Sequence, residues 1–266
     1  MITINKLIKI SLLLLLFSII IISILNVNAS NLTFPLFGKI IYLDAGHGGV
    51  DNGATANNVN EKDINLQIVY KLKETLTNAG ATVLLTRKDD NDISNPNALY
   101  RKKSDFDNRI KLINNSNADL YISIHQNIYQ NKKYNGPQVF YVKNNKQMAE
   151  TIQITLNKYL NTNRKIKTIN NTYMYRLLNK PGVLIECGFL SNDNERAKLT
   201  NDDYQIKLSK IITEGIIAYF SHTNVASYSP NIPSKDETFL DNRFATLEEA
   251  RTYFNSSYMT HNHKTM

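Results

Sequence analysis

A regular alternation between two hydrophobic periods limits the fold of this chain more than any other feature. Short β-branched and aromatic runs occur at residues 39–43 (KIIYL), 81–86 (ATVLLT), 120–125 (LYISIH), 138–142 (QVFYV) and 183–186 (VLIE). Each has the length and composition of a buried strand. Between them lie longer segments with helical spacing. Ile64, Ile68, Leu72 and Leu76 form a stripe within 63–79, and Phe106, Ile110 and Ile113 another within 105–116. Met148, Ile152, Leu156 and Leu160 align within 147–160, and Ile206, Ile211, Ile212 and Ile216 within 203–220. Alternating strand and helix patterns predict one α/β domain over residues 38–220, with a largely parallel sheet and helices on both faces. Residues 87–104 are polar and read as a surface loop, and Asn192 or Asp193 can cap a short helix.

The two ends of the chain differ from this middle. Lys6 and Lys9 precede an apolar run over 10–25, broken only by Ser11, Ser18 and Ser23, and Val27-Asn28-Ala29 follows it. That order predicts a secretory signal peptide over residues 1–29, or an N-terminal anchor if it stays uncleaved. Either outcome puts the remainder outside the cytoplasm and limits membrane contact to this segment. From Ser221 onward, Ser, Asn, Pro and Thr dominate, so 221–266 reads as a polar tail. Thr246 and Glu249 have capping-box spacing for one short helix over 246–254. The formal charge of +8 suits a polyanionic partner, but no nucleic-acid-binding motif accompanies it. Cys187 is the single cysteine, which excludes an intramolecular disulfide and fits a small buried thiol in its strand.

Two of the five histidines, His47 and His125, fall at the C-terminal ends of predicted strands, where open α/β sheets build their sites. His47 stands in Asp44-Ala45-Gly46-His47-Gly48-Gly49, whose glycines allow a sharp turn and leave the imidazole room for a ligand. Glu61 precedes the first helix and is close enough in sequence for a loop to return it to His47. Two imidazoles and a carboxylate make a zinc set with a fourth position left for water, at metal–ligand distances of roughly 2.0–2.2 Å. Glu186 ends an apolar run, where a carboxylate is rarely buried without a partner or task. Beside a metal-activated water it would serve as acid and base. Each residue also has a plain structural reading. His47 could be a loop histidine, His125 a satisfied strand end, Glu61 a helix N-terminal acid, and Glu186 a salt-bridge partner of Arg109 or Arg176. Spacing alone leaves both kinds of reading open. HExxH and GxSxG are absent. The tail histidines His222, His261 and His263 are not expected to be ligands.

Four motifs carry a further signal. Ile41-Tyr42-Leu43-Asp44-Ala45-Gly46-His47-Gly48-Gly49, Asn60-Glu61-Lys62-Asp63, Ser123-Ile124-His125-Gln126-Asn127 and the segment from Leu184 to Asn192 occur in this order. Together they resemble the type 3 zinc-dependent N-acetylmuramoyl-L-alanine amidases. The resemblance implies a six-stranded sheet, Zn2+ held by His47, Glu61 and His125, and Glu186 as catalytic acid/base. It implies peptidoglycan as substrate, cleaved between muramic acid and L-Ala. The runs 109–114, 119–125 and 179–182 are similar to the germination-specific amidases of spore formers. That subgroup implies action on spore cortex, as the first step towards muramic-δ-lactam, in the intermembrane space of the forespore. An accessory protein partner remains compatible with it. Some relatives carry a regulatory insertion, whereas here the 138–142 strand runs directly into the next helix, which argues against self-inhibition. The rival expectations are a zinc carboxypeptidase acting on the stem peptide and a non-catalytic wall-binding sporulation protein.

Overall fold

The structure, a computed structural model, describes residues 11–18, 34–142, 144–170 and 172–221. Residues 11–18 form a short exposed helix, α1. The rest of the N-terminal segment, including Val27-Asn28-Ala29, and the tail from His222 lie outside the described residues, as does the expected helix over 246–254. Among the described residues, no helix is long and apolar enough to cross a membrane.

From residue 34 the strands and helices alternate as their periods require. The order is β1 (Ile40–Ala45), β2 (Thr55–Ala56), β3 (Val59–Asn60), α2 (Glu61–Asn78), β4 (Thr82–Leu85), α3 (Arg101–Asn114) and β5 (Leu120–Asn127). Then come β6 (Gln138–Tyr141), α4 (Lys146–Leu160), β7 (Lys167–Thr168), α5 (Tyr173–Leu177), β8 (Gly182–Phe189), α6 (Asp193–Leu199) and α7 (Asp202–Phe220). Six strands form one sheet in the order β4-β1-β5-β8-β6-β7, and β2 and β3 pair separately as a small antiparallel hairpin. All neighbours in the sheet are parallel except β6 and β8. This is the mostly parallel, helix-covered α/β domain that the sequence predicts.

Side-chain alternation along the central strands sorts residues between two layers. Ile41, Leu43, Ile122, Ile124, Val183 and Ile185 face the larger core, which holds the stripes of α2, α4 and α7. Tyr42, Tyr121 and Leu184 face the smaller core against Ile113 of α3 and Met174 of α5. The same alternation puts Asp44, Ser123, His125 and Glu186 on the smaller-core side. Polar chemistry therefore gathers beneath α3 and α5, and the opposite face stays apolar.

Several boundaries depart from the sequence reading. Helix α2 starts at Glu61, so this residue lies in the first helical turn, where a carboxylate is favoured by the helix dipole. Strand β8 continues to Phe189, so Glu186 sits within the strand and does not end it. The expected loop over 87–104 gives way to α3 at Arg101, and Arg87 is buried. Asn192 does cap α6, accepting a hydrogen bond from the Glu195 N–H at 3.0 Å. Only residues 142–145 separate β6 from α4, so no insertion stands between them.

Candidate metal centre

Parallel pairing of β5 and β8 places His125 directly opposite Glu186. Immediately beyond, the register shifts between His125 and Asn127, an irregularity of the kind that re-aims side chains beside sites. There the Gln126 N–H donates to Glu61 Oε1 at 3.0 Å. The first turn of α2 thus delivers Glu61 to the rim of the sheet. Its other oxygen, Oε2, accepts from Ala54 N at 2.8 Å.

The loop after β1 brings in His47. Its backbone is left-handed at φ 63°, a conformation uncommon for a residue with a Cβ. Two buried arginines hold it there by gripping carbonyls that face away from solvent. Arg109 donates to the carbonyls of Ala45 and His47 at 2.7 Å each. Arg87 donates to Ala45 at 2.9 Å and to Gly46 at 3.2 Å. Gly46 is required by close approach, because a Cβ there would lie 2.2 Å from the His125 ring. Gly53, at φ 65°, is needed on both counts. Its conformation is left-handed, and a Cβ would stand 2.5 Å from Glu61 Oε2.

The result is a compact donor set. One ligand atom from each of His47, Glu61 and His125 lies within 4.8 Å of the others. His47 Nε2 is 3.2 Å from Glu61 Oε2, and His125 Nδ1 is 2.8 Å from Glu61 Oε1. On its outer side, His47 Nδ1 meets Asp51 Oδ2 at 2.9 Å, and Lys102 pairs with the same carboxylate. A carboxylate behind a metal-facing imidazole orients the ring and fixes its tautomer. This donor set fits one divalent metal ion of zinc type: two imidazoles, one carboxylate and an open side.

Glu186 lines the same cleft as His47 and His125. Its Oε2 is buried and has no hydrogen-bond partner. Burial, reinforced by the negative charge of Glu61, pushes its carboxyl up to about 8. Neither Arg109 nor Arg176 pairs with it, contrary to the salt-bridge alternative. Arg109 is committed to Asp44 at 2.6 Å and Asp105 at 2.8 Å, and Arg176 is exposed. Glu61 has the opposite electrostatics. Burial raises its carboxyl, but hydrogen bonds from His125 and His47 outweigh that and hold it well below the usual range. His47 is raised, because Glu61 and Asp51 together overcome the effect of burial.

A cleft of about 200 Å³ opens over the site, walled by Phe106, Ile169, Thr172 and Met174 and floored by His47, His125 and Glu186. All four residues singled out from the sequence therefore meet in one place. Asp51, Arg87 and Tyr175 join them without any role read from the sequence, and Arg109 joins them in a different role from the Glu186 pairing considered there. Arg109 also falls in a run resembling the germination amidases. The other three are tied in through contacts that no local pattern reports.

Two imidazoles and a carboxylate at the carboxyl rim of a mostly parallel sheet, with a free carboxyl in the same cleft, define an α/β protein with a candidate metal site. The chain belongs to the N-acetylmuramoyl-L-alanine amidase family, which matches residues 41–218. It is 43% identical over 196 residues to the germination-specific N-acetylmuramoyl-L-alanine amidase of Bacillus subtilis, spanning 71% of this chain and 83% of that relative. Its fold is similar to the CwlD amidase of Clostridioides difficile, solved in complex with the GerS lipoprotein. That match has a TM-score of 0.67 and 40% identity, covering 70% of this chain and 100% of that one. An N-acetylmuramoyl-L-alanine amidase from Clostridium difficile 630 matches with a TM-score of 0.61 and 34% identity, over 69% of this chain and 97% of the other.

Proposed function

We propose that this protein is a zinc amidase that cuts the amide between N-acetylmuramic acid and L-Ala in peptidoglycan. Metal ligands are His47 through Nε2, Glu61, and His125 through Nδ1, and Glu186 is the catalytic acid/base. One observation carries the reading. The buried, unpartnered Oε2 of Glu186 shares a cleft with the only His/Cys/Asp/Glu group among the described residues that could hold a metal ion.

A bound zinc ion would supply Lewis acidity and a water of lowered pKa. The chain's own residues supply the rest. Glu186 takes a proton from the attacking water and returns it to the departing L-Ala nitrogen, a shuttle suited to a carboxyl held near neutrality. No covalent intermediate on the protein is needed. Phe106, Ile169 and Met174 wall the cleft with apolar side chains that would limit water around the scissile bond.

The setting is exported and extracytoplasmic, in the cell wall, and the cortex of the forespore is the proposed substrate. Identity to the germination-specific relative supports this. A lipoprotein bound to the CwlD amidase supports an accessory partner for this chain as well. The test is digestion of cortex and vegetative peptidoglycan by the purified protein with zinc, read by mass spectrometry. Intact stems beginning with L-Ala are expected, cortex being the better substrate. Cleavage within the stem would replace the amidase reading with a carboxypeptidase, and absence of any cleavage with zinc bound would favour a wall-binding role.

A further inference from the structure

Behind His125 runs a chain of buried hydrogen bonds with only one consistent direction. Asp44 accepts at both carboxylate oxygens. Thr86 Oγ1 and Arg109 Nη1 donate to Oδ1 at 2.8 and 2.6 Å, and Ser123 Oγ donates to Oδ2 at 2.6 Å. Ser123 has a single hydroxyl proton, so towards Tyr175 OH, 3.1 Å away, it can only accept. Tyr175 thereby spends its own proton on Ser123. Towards His125 Nε2, at 3.2 Å, the phenol oxygen is left to accept. The reverse orientation would set two oxygen lone pairs against each other in a place where Ser123 and Tyr175 are 0% and 5% exposed.

We infer that Tyr175, acting through Ser123 and the Asp44–Arg109 pair, is a positioning residue that confines the outer proton of His125 to Nε2 and so reserves Nδ1 for the metal. Asp51 does the same for His47 with the nitrogens exchanged, keeping a proton on Nδ1 and aiming Nε2 inward. Each ring thus has its proton outside and its donor inside, on opposite nitrogens. The inner atoms are the only ones at which a proton and a cation compete. This rests on His47, Glu61 and His125 being the ligands.

The test uses the full chain, with zinc affinity measured by chelator competition and the His125 tautomer read from imidazole 15N shifts. Tyr175→Phe keeps the ring and removes the hydroxyl. It should weaken zinc binding by about 10- to 100-fold and release His125 to a mixture of tautomers. Ser123→Ala cuts the chain without touching either histidine and should do the same. The double variant should be no worse than either single change, since one break already disconnects the chain. Wild-type zinc affinity in both single variants, or an unchanged Nε2-protonated His125 in both, would overturn the inference. If wild-type protein binds no zinc, or His125→Ala binds it equally well, the metal reading itself falls.

Discussion

Asp44 and Glu186 are buried carboxyl groups on the same face of one sheet, on the two strands that flank β5. Their surroundings drive them in opposite directions. Burial raises both. At Asp44 the Arg109 charge and the hydroxyls of Ser123 and Thr86 reverse that and hold the carboxyl at about 2. At Glu186 no donor answers Oε2, the negative charge of Glu61 adds to burial, and the group is pushed to about 8. A carboxylate saturated with donors is a fixed anchor, whereas one without them can exchange a proton. The sheet thus keeps its scaffold and its proposed chemistry two strands apart.

The sharpest way to break the comparison is Glu186→Gln. The amide nearly matches the carboxylate in shape but cannot carry a proton. Amidase activity should fall by about a thousandfold, with zinc content unchanged. Metal analysis alongside turnover checks both halves, and a variant with normal turnover would remove Glu186 from the mechanism.

Arg109→Met attacks the other side. It leaves Asp44 and Asp105 buried without their counter-ion and frees the carbonyls of Ala45 and His47. Loss of one partner from such a network costs about 3–5 kcal/mol. Denaturant unfolding should show it, and the His47 loop should lose protection from hydrogen exchange. A change below about 1 kcal/mol would show that the network is not anchoring the loop.

Proton linkage gives a smaller and more discriminating effect. Burial raises the Glu186 carboxyl from an ordinary value of 4.5 to about 8, so between those pH values the folded protein holds a proton that the unfolded chain has lost. Stability must therefore fall as pH rises through that window, and the cost is fully present above it. Glu186→Gln removes the penalty. With a chelator present, the variant should match the wild type near pH 4.5 and exceed it by a margin that grows steadily as the pH rises towards 8. Added zinc should shrink the gap by offsetting the charge of Glu61. A gap independent of pH would mean that Glu186 titrates normally.

How far these features were legible in the sequence follows from the range of each interaction. Strands and helices were readable because a period repeats over neighbouring residues, as Ile64, Ile68, Leu72 and Leu76 do. Helix α5 was missed because five residues cannot show a helical period. The extent of β8 was missed because Cys187, Gly188 and Phe189 carry no strand alternation of their own, and pairing with β5 carries the strand onward. The four candidate site residues were legible through ordered motifs, although nothing in the chain reported that His125 and Glu186 would lie side by side. Parallel register decides that. The bonds from Arg109 to His47 and from Tyr175 to His125 span 62 and 50 positions, so a local pattern could not announce them.

The smallest expected effect lies one residue from Glu186. Alternation along β8 turns Cys187 to the other face, into the core formed with α2, α4 and α7, where it is fully buried. Burial, with the neighbouring charge of Glu186, pushes the thiol well above its ordinary range, so it is a poor nucleophile. Cys187→Ala should cost about 1 kcal/mol for the lost sulfur and leave amidase turnover unchanged. Alkylating reagents should inactivate the native protein no faster than it unfolds. Rapid inactivation would mean that Cys187 faces the cleft, which the β5–β8 register forbids. Because a one-residue slip exchanges every side chain between faces, it would also carry Glu186 into the apolar core. This minor thiol therefore tests the register on which the contrast between Asp44 and Glu186 depends.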